Sequence, residues 1–294
     1  MNMADTLHFR EPMARHVSWR AGGPAERFFV SPGIQALAEF LRSLPKEEPL
    51  LFVGLGSNLL VRDGGFPGTV VLMHSAKKNA RLESGLVYAE AGVASPKVAR
   101  FAATHHLVGA EFLAGIPGTV GGALAMNAGC YGSETWDIVQ QVLSIDRHGE
   151  VRERKKAEYE IGYRHCQVRS GNEEWFVAAY FDLRSGDGEA SRARIKELLA
   201  KRMATQPLSL PNAGSVFRNP PGDHAARLVE SCGLKGLARG GARVSEKHAN
   251  FIVNPDGVAS AADIEWLILE VKKRVLEKTG VELVPEVRIV GEPA

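Results

Sequence analysis

Between Gly109 and Gly132, glycine fills seven of twenty-four positions (109, 115, 118, 121, 122, 129 and 132), and Glu111 is the one charged residue among them. Glycine loses more conformational freedom on folding than any other residue. Such density is costly unless the chain needs positive φ or must bring a ligand against its own main chain. Ile116-Pro-Gly-Thr119 reads as a tight turn, and Val120 to Met126 as the start of a helix whose first amides are unpaired. Such a start attracts phosphate. The stretch is therefore read as a main-chain cradle for an anionic ligand, since ordinary turns rarely need so many glycines.

Two familiar phosphate motifs are absent from it. Gly121-Gly122 is followed by Ala123-Leu124, where a P-loop needs a lysine and a hydroxyl residue. Gly54-Leu-Gly-Ser-Asn-Leu59 has leucine where a Rossmann fingerprint needs its third glycine.

The chain of 294 residues is long enough for one large or two ordinary domains. A formal net charge of +2 provides no basic field for nucleic acid, and we expect no such partner. Arg192, Arg194, Lys196, Lys201 and Arg202 read as the solvated face of a helix. Cys130, Cys166 and Cys232 are far apart and form no Cys-x-x-Cys pair, which fits reduced thiols better than disulfides or a zinc site. Met1 to Arg15 lacks the apolar core of a signal peptide, and no run reaches the roughly 18 apolar residues of a spanning helix. These features predict a cytoplasmic protein with no membrane association and no bound metal.

Along the chain, Ala25 to Val30 alternates as a strand, and Ile34, Leu37, Ala38 and Leu41 form a helical stripe. Pro49 to Val53 reads as a strand buried on both faces, leading into the Gly54–Asn58 loop. Asp63-Gly-Gly65 turns the chain into a strand at 69–73, and Leu86 to Ala91 is another. Ser95-Pro96 offers an N-cap and a proline for a helix running to about His106. The adjacent His105 and His106 lack the i, i+4 spacing of metal ligands. A hairpin around His148-Gly149, a strand at 175–183 and a helix through Ile195 to Met203 follow, with a boundary near 200–210. Asp223 is placed to cap a helix over 226–232 that Gly233 ends, and Asn250 to Val253 reads as a strand. Ser260 and Asp263 make a capping box, Gly280 stops that helix, and 281–290 closes the chain as a strand.

No Gly-x-Ser-x-Gly elbow or His-Glu-x-x-His motif is present. Ser215 lies in a Gly-Ser turn between prolines, where its hydroxyl either faces a site or satisfies its own turn. Glu286 is a carboxylate in an apolar segment, either functional or paired with Arg288. Arg164, after Tyr163, is by itself an ordinary surface ion-pair partner.

Taken together, eight segments resemble one family. Arg20-Ala-Gly-Gly23, Gly54-Leu-Gly-Ser-Asn-Leu-Leu-Val61, Gly115-Ile-Pro-Gly-Thr-Val-Gly-Gly-Ala123, Met126-Asn-Ala-Gly129, Tyr163-Arg164, Ala213-Gly-Ser-Val-Phe-Arg-Asn-Pro220, Ser245-Glu-Lys-His-Ala-Asn-Phe251 and Pro285-Glu-Val-Arg288 occur in the order and spacing of the UDP-N-acetylenolpyruvoylglucosamine reductases, the MurB family. The resemblance covers about residues 15 to 292 and is specific as a set. Cys130 stands where the family commonly has alanine and Cys166 where it commonly has serine, and neither change requires thiol chemistry. The short spacing from Arg202 to Ser215 is similar to the compact form of the family, without its extra tyrosine-bearing loop.

The resemblance implies an α+β flavoenzyme of peptidoglycan synthesis. It would have a two-subdomain FAD-binding domain of the vanillyl-alcohol-oxidase (PCMH) type, at 15–80 and 81–203, and a smaller C-terminal substrate-binding domain at 204–294. By analogy FAD lies on Gly54, Leu55, Gly56, Ser57, Asn58, Ile116, Pro117, Gly118, Thr119, Gly121 and Gly122, with NADPH as the hydride-donating co-substrate. The small-molecule substrate would be UDP-N-acetylglucosamine enolpyruvate. The sequence does not settle the oligomeric state, and a monomer is the expectation. Arg164 would clamp its carboxylate, Ser215 would donate a proton and Glu286 would orient the carboxylate. Tyr163, Arg202, Asn219 and Asn250 are the substrate-side candidates, Arg202 for the diphosphate. Another oxidoreductase on the same scaffold, or a silent nucleotide-binding module, are the competing readings.

Overall fold

The computed structural model describes residues 6–75 and 78–294. Met1 to Asp5, part of the segment read as lacking an export signal, lie outside the described residues. The described chain is α+β and divides into two units.

The first unit contains Phe29–Leu55 and Val70–Arg202. Its main sheet has five antiparallel strands in the order Val151–Lys155, Val139–Asp146, Glu174–Phe181, Leu86–Glu90, Arg81–Glu83. The predicted hairpin is its outer pair, turned by Gly149 at φ 70°. α2 (Ser95–Thr104), the 3-10 turn Glu111–Gly115 and α3 (Val120–Ala125) bury their apolar sides in one core with this sheet. A second core joins α1 (Ile34–Ser43) to Val71, Met73 and Val177. There Phe29 stacks on Phe40 at 3.9 Å between ring centroids, an aromatic pair worth about 1 kcal/mol beyond its burial. The strand Leu50–Val53 alternates between partly buried and buried residues instead of being buried on both faces. Leu51 and Val53 are buried, while the partly exposed Phe52 stacks on Trp175 at 4.4 Å. Ser95 does not cap α2. Ala94 is the N-cap, and the Ser95 hydroxyl is buried without a hydrogen-bond partner among the described residues. α4 (Gly188–Thr205) begins seven residues before the first apolar position that marked it and passes into the expected boundary near 200–210.

The second unit contains His8–Phe28, Gly56–Thr69 and Met203–Ala294. Its core surrounds α6 (Ala261–Thr279), whose Ile264, Leu267, Ile268, Val271 and Val275 are buried together with Trp19, Leu60 and Phe217. The capping box forms as expected, with Ser260 Oγ accepting from the Asp263 amide at 3.1 Å. Asp63 adds a clasp, accepting from the Ala261 and Ala262 amides at 2.9 and 2.8 Å. Gly280 ends the helix at φ 72°. α5 (Ala225–Ser231) has His224 as its N-cap. Asp223 pairs with Arg227 instead of capping the helix. The terminal segment forms a strand only at Arg288–Val290, parallel to Leu59–Val61, because the main chain around Pro285 pairs instead with the 216–218 segment.

Among the described residues no helix is long and apolar enough to cross a membrane.

Candidate functional site

In the first unit the structure joins two of the glycine segments that the sequence placed far apart. A methyl group on Gly54 would lie 2.2 Å from Thr119 Oγ1, so the end of strand Leu50–Val53 meets the Ile116–Thr119 turn in direct contact. Gly122 has open space where a Cβ would stand, with Thr119 Oγ1 its nearest neighbour at 4.0 Å. Main chain left open at Gly122, beside the Gly54–Thr119 contact, allows the close approach that a dinucleotide cofactor needs, so these residues fit such a group.

One element of the phosphate argument changes. The first two amides of α3 are not unpaired: Val120 N donates to Val93 O and Gly121 N to Ala91 O, both at 2.9 Å. Gly121 is a packing glycine, since its Cβ would come within 2.9 Å of Ala91 Cβ. Gly115 likewise leaves room for Cys130 and Tyr131. The far end of the stretch is a tight hairpin, Gly129–Cys130 pairing with Ser133–Glu134. Tyr131 at φ 57° and Gly132 at φ 86° form its turn, as the twist of a two-residue hairpin demands.

α4 holds this hairpin and the 115 turn from one side. Arg202 Nη1 donates to Gly115 O at 2.7 Å, and the Tyr131 hydroxyl donates to Leu198 O at 2.9 Å. Burial presses the Arg202 pKa down, against the opposing pull of Tyr131 and Cys130. Burial also pushes the Cys130 thiol up to about 11 and the Cys166 thiol to about 12. Both therefore remain thiols at neutral pH.

Tyr163 and Arg164 form the turn of a hairpin, Tyr159–Gly162 with His165–Val168. Arg164 is left-handed at φ 54°, and its Nη2 donates to Gly129 O at 3.2 Å. Its guanidinium carbon also sits 4.9 Å from the Tyr163 ring centroid.

In the second unit three motifs are linked through one run of hydrogen bonds. Glu286 N donates to Val216 O at 2.7 Å, directly after Ser215. Asn58 Nδ2 donates to Glu286 O at 3.1 Å, and Arg288 N donates back to Asn58 O at 3.1 Å. Gly56 is required in this loop. Its φ is 59°, and a Cβ would fall 2.1 Å from His16 O. In Arg20-Ala-Gly-Gly23, a Cβ on Gly22 would lie 2.6 Å from Val61 O and one on Gly23 2.2 Å from Asp63 O, so the glycine pair lets the 61–63 main chain approach.

The turn at Ser215 is satisfied by another residue. Asn212 Oδ1 accepts from the Gly214 amide at 2.9 Å, and the half-buried Ser215 hydroxyl has no hydrogen-bond partner among the described residues. Asn250 is buried, and its amide bonds both main-chain groups of Phe217, at 2.9 and 2.8 Å. Asn219 Oδ1 accepts from Ala225 N at the start of α5, at 3.1 Å. Asn250 and Asn219 thus brace the Ser215 segment whatever else they touch. The sequence reading missed Asn127 of the Met126–Gly129 motif. It is buried, left-handed at φ 39° and fully hydrogen-bonded, and asparagine beside alanine and glycine was its only signal.

Residues 206–290 match the family model of the UDP-N-acetylenolpyruvoylglucosamine reductase C-terminal domain, and residues 30–154 match an FAD binding domain. The UDP-N-acetylenolpyruvoylglucosamine reductase of Thiobacillus denitrificans is 58% identical, with 97% of this chain and 92% of the relative covered. The Methylococcus capsulatus protein of the same name is 59% identical, with 96% and 92% covered. The crystal structure of UDP-N-acetylenolpyruvylglucosamine reductase (MurB) from Thermus caldophilus superposes with a TM-score of 0.78 at 32% identity, covering 96% of this chain and 97% of that one. At this near-full-length identity, the chain belongs to the UDP-N-acetylenolpyruvoylglucosamine reductase family.

Proposed function

We propose that the protein reduces UDP-N-acetylglucosamine enolpyruvate to UDP-N-acetylmuramate with NADPH and FAD, a cytosolic step of peptidoglycan biosynthesis. The observation that carries the reading is the Asn58–Glu286–Val216 linkage, which draws three separate family motifs into one cluster beside Ser215. FAD would be held by Gly54 to Asn58, by Ile116 to Thr119, and by Gly121 and Gly122. In this division 15–80 and 81–203 are FAD subdomains of the vanillyl-alcohol-oxidase type and 204–294 is the substrate domain.

The chemistry that bound FAD supplies is carriage of hydride from NADPH to the methylene carbon of the enolpyruvyl ether. Negative charge then gathers on the neighbouring carboxylate. Arg164 meets it with a guanidinium, which binds a carboxylate through two parallel hydrogen bonds. Ser215 Oγ gives the proton to the adjacent carbon, a role for which a hydroxyl not spent on its own turn is suited. Glu286 orients the carboxylate, and its main chain is fixed at both its amide and its carbonyl. Tyr163, Asn219 and Asn250 line the substrate, and Arg202 faces its diphosphate while one nitrogen holds Gly115 O.

Anaerobic reduction by NADPH followed by the enolpyruvyl sugar nucleotide tests this. Bleaching of the flavin and its recovery on adding the substrate are expected. Recovery with oxygen alone would assign an oxidase instead, and protein that stays colourless with FAD would exclude both enzymes.

A further inference from the structure

We propose that Asn127 is the positioning residue that holds the Arg164 hairpin turn in place for substrate reduction. The proposal rests on the role given to Arg164 above. Asn127 Nδ2 donates to Gly162 O at 3.2 Å, on the residue just before the Tyr163-Arg164 turn. Two residues after Asn127, Gly129 O accepts from Arg164 Nη2 at 3.2 Å. One four-residue motif therefore grips both the main chain that enters the turn and the guanidinium that leaves it.

The amide cannot be replaced by a carboxylate of the same shape. Nδ2 also donates to Glu134 Oε2 at 2.7 Å, and Oδ1 accepts from Trp136 N at 3.2 Å. The site thus presents two acceptors and one donor, which fixes the orientation of the amide. An aspartate there would set its own oxygen against Gly162 O and the Glu134 carboxylate, with no proton to offer either. The residue is buried and held at φ 39°, a conformation that asparagine tolerates far better than branched residues. Burial, a left-handed backbone and a fully used amide are what a residue needs if it must hold a neighbour without moving.

The test is Asn127→Asp in the flavin-loaded enzyme, with the two half-reactions followed separately. Flavin reduction by NADPH should stay within about 2-fold, while reoxidation by the enolpyruvyl sugar nucleotide slows by about 10- to 100-fold, the scale of a small misplacement of a reacting group. Glu134→Ala, which loosens the same amide, should slow the same half-reaction less. A residue acting through Arg164 should add little to the loss already caused by Arg164→Ala, so the double variant should be no slower than about 2-fold below Arg164→Ala alone. Losses that multiply, equal slowing of both half-reactions, or flavin-free protein from both Asn127→Asp and Glu134→Ala would each overturn the proposal. Full activity of Arg164→Ala would instead overturn the role of Arg164 itself, so the two failures can be told apart.

Discussion

Gly54 touches Thr119 so closely that a single methyl group on the glycine would stand 2.2 Å from the threonine hydroxyl oxygen. Gly54→Ala should therefore separate the two segments and weaken FAD binding by at least about 10-fold, while the overpacking costs about 1 to 3 kcal/mol of stability. Thr119→Ala in the same chain removes Oγ1 and Cγ2, the two nearest atoms, and should restore part of the affinity. A flavin absorbance titration of the two variants reads both effects. Undiminished affinity in Gly54→Ala would separate this contact from cofactor binding.

Ser215→Ala should bind FAD and let NADPH bleach it at the normal rate. Reoxidation by the enolpyruvyl sugar nucleotide should then fall by about 100-fold or more, the scale of a lost general acid. Stopped-flow absorbance follows each step. Turnover at the wild-type rate would remove Ser215 from the proton transfer.

Asn250→Ala removes the partner of both main-chain groups of Phe217, which are buried with it. Each unsatisfied buried group costs about 1 to 3 kcal/mol, so the denaturation midpoint should drop even without substrate. If the midpoint holds and only KM rises, Asn250 serves the substrate and not the frame of the Ser215 segment.

The buried thiols predict a pH effect of definite sign. An unfolded cysteine ionises near pH 8.5, whereas Cys130 and Cys166 hold their protons up to about 11 and 12. The folded state thus binds more protons in the alkaline range. The thiols' contribution to stability is full below about pH 8.5 and is lost progressively as pH rises through 11 to 12. Replacing both by serine should flatten the alkaline fall in urea midpoint, and a slope identical to wild type would contradict it.

How much of this was legible in the sequence depended on whether the cause was local. The helix at 261–279 was readable because its apolar stripe, its Ser260–Asp263 box and Gly280 act within a few residues of one another. The hairpin at His148-Gly149 and the strand at 174–181 followed from alternation in the same way. Ser95 was misread as a cap because a serine before a proline signals a helix start wherever it occurs. In the fold Ala94 takes that position, and the Ser95 amide donates to Gly118 O. The terminal strand shrank to three residues because the main chain around Pro285 pairs with the 216–218 segment, a partner invisible from seventy residues away.

By itself the sequence determined the chemistry available: glycine-rich main chain for a cofactor, and an arginine, a serine and a glutamate each inside a recognisable motif. Tertiary structure decided which glycines face open space and which face protein. It spent the first amides of α3 on Val93 and Ala91, left room beside Gly122, and set Gly54 on Thr119. It also assigned Asn127, Asn212 and Asn250 to holding the segments of Arg164 and Ser215. The reason is physical: a residue type fixes which bonds a side chain can make, but a hydrogen bond or steric contact spanning tens of residues exists only once the intervening chain has folded.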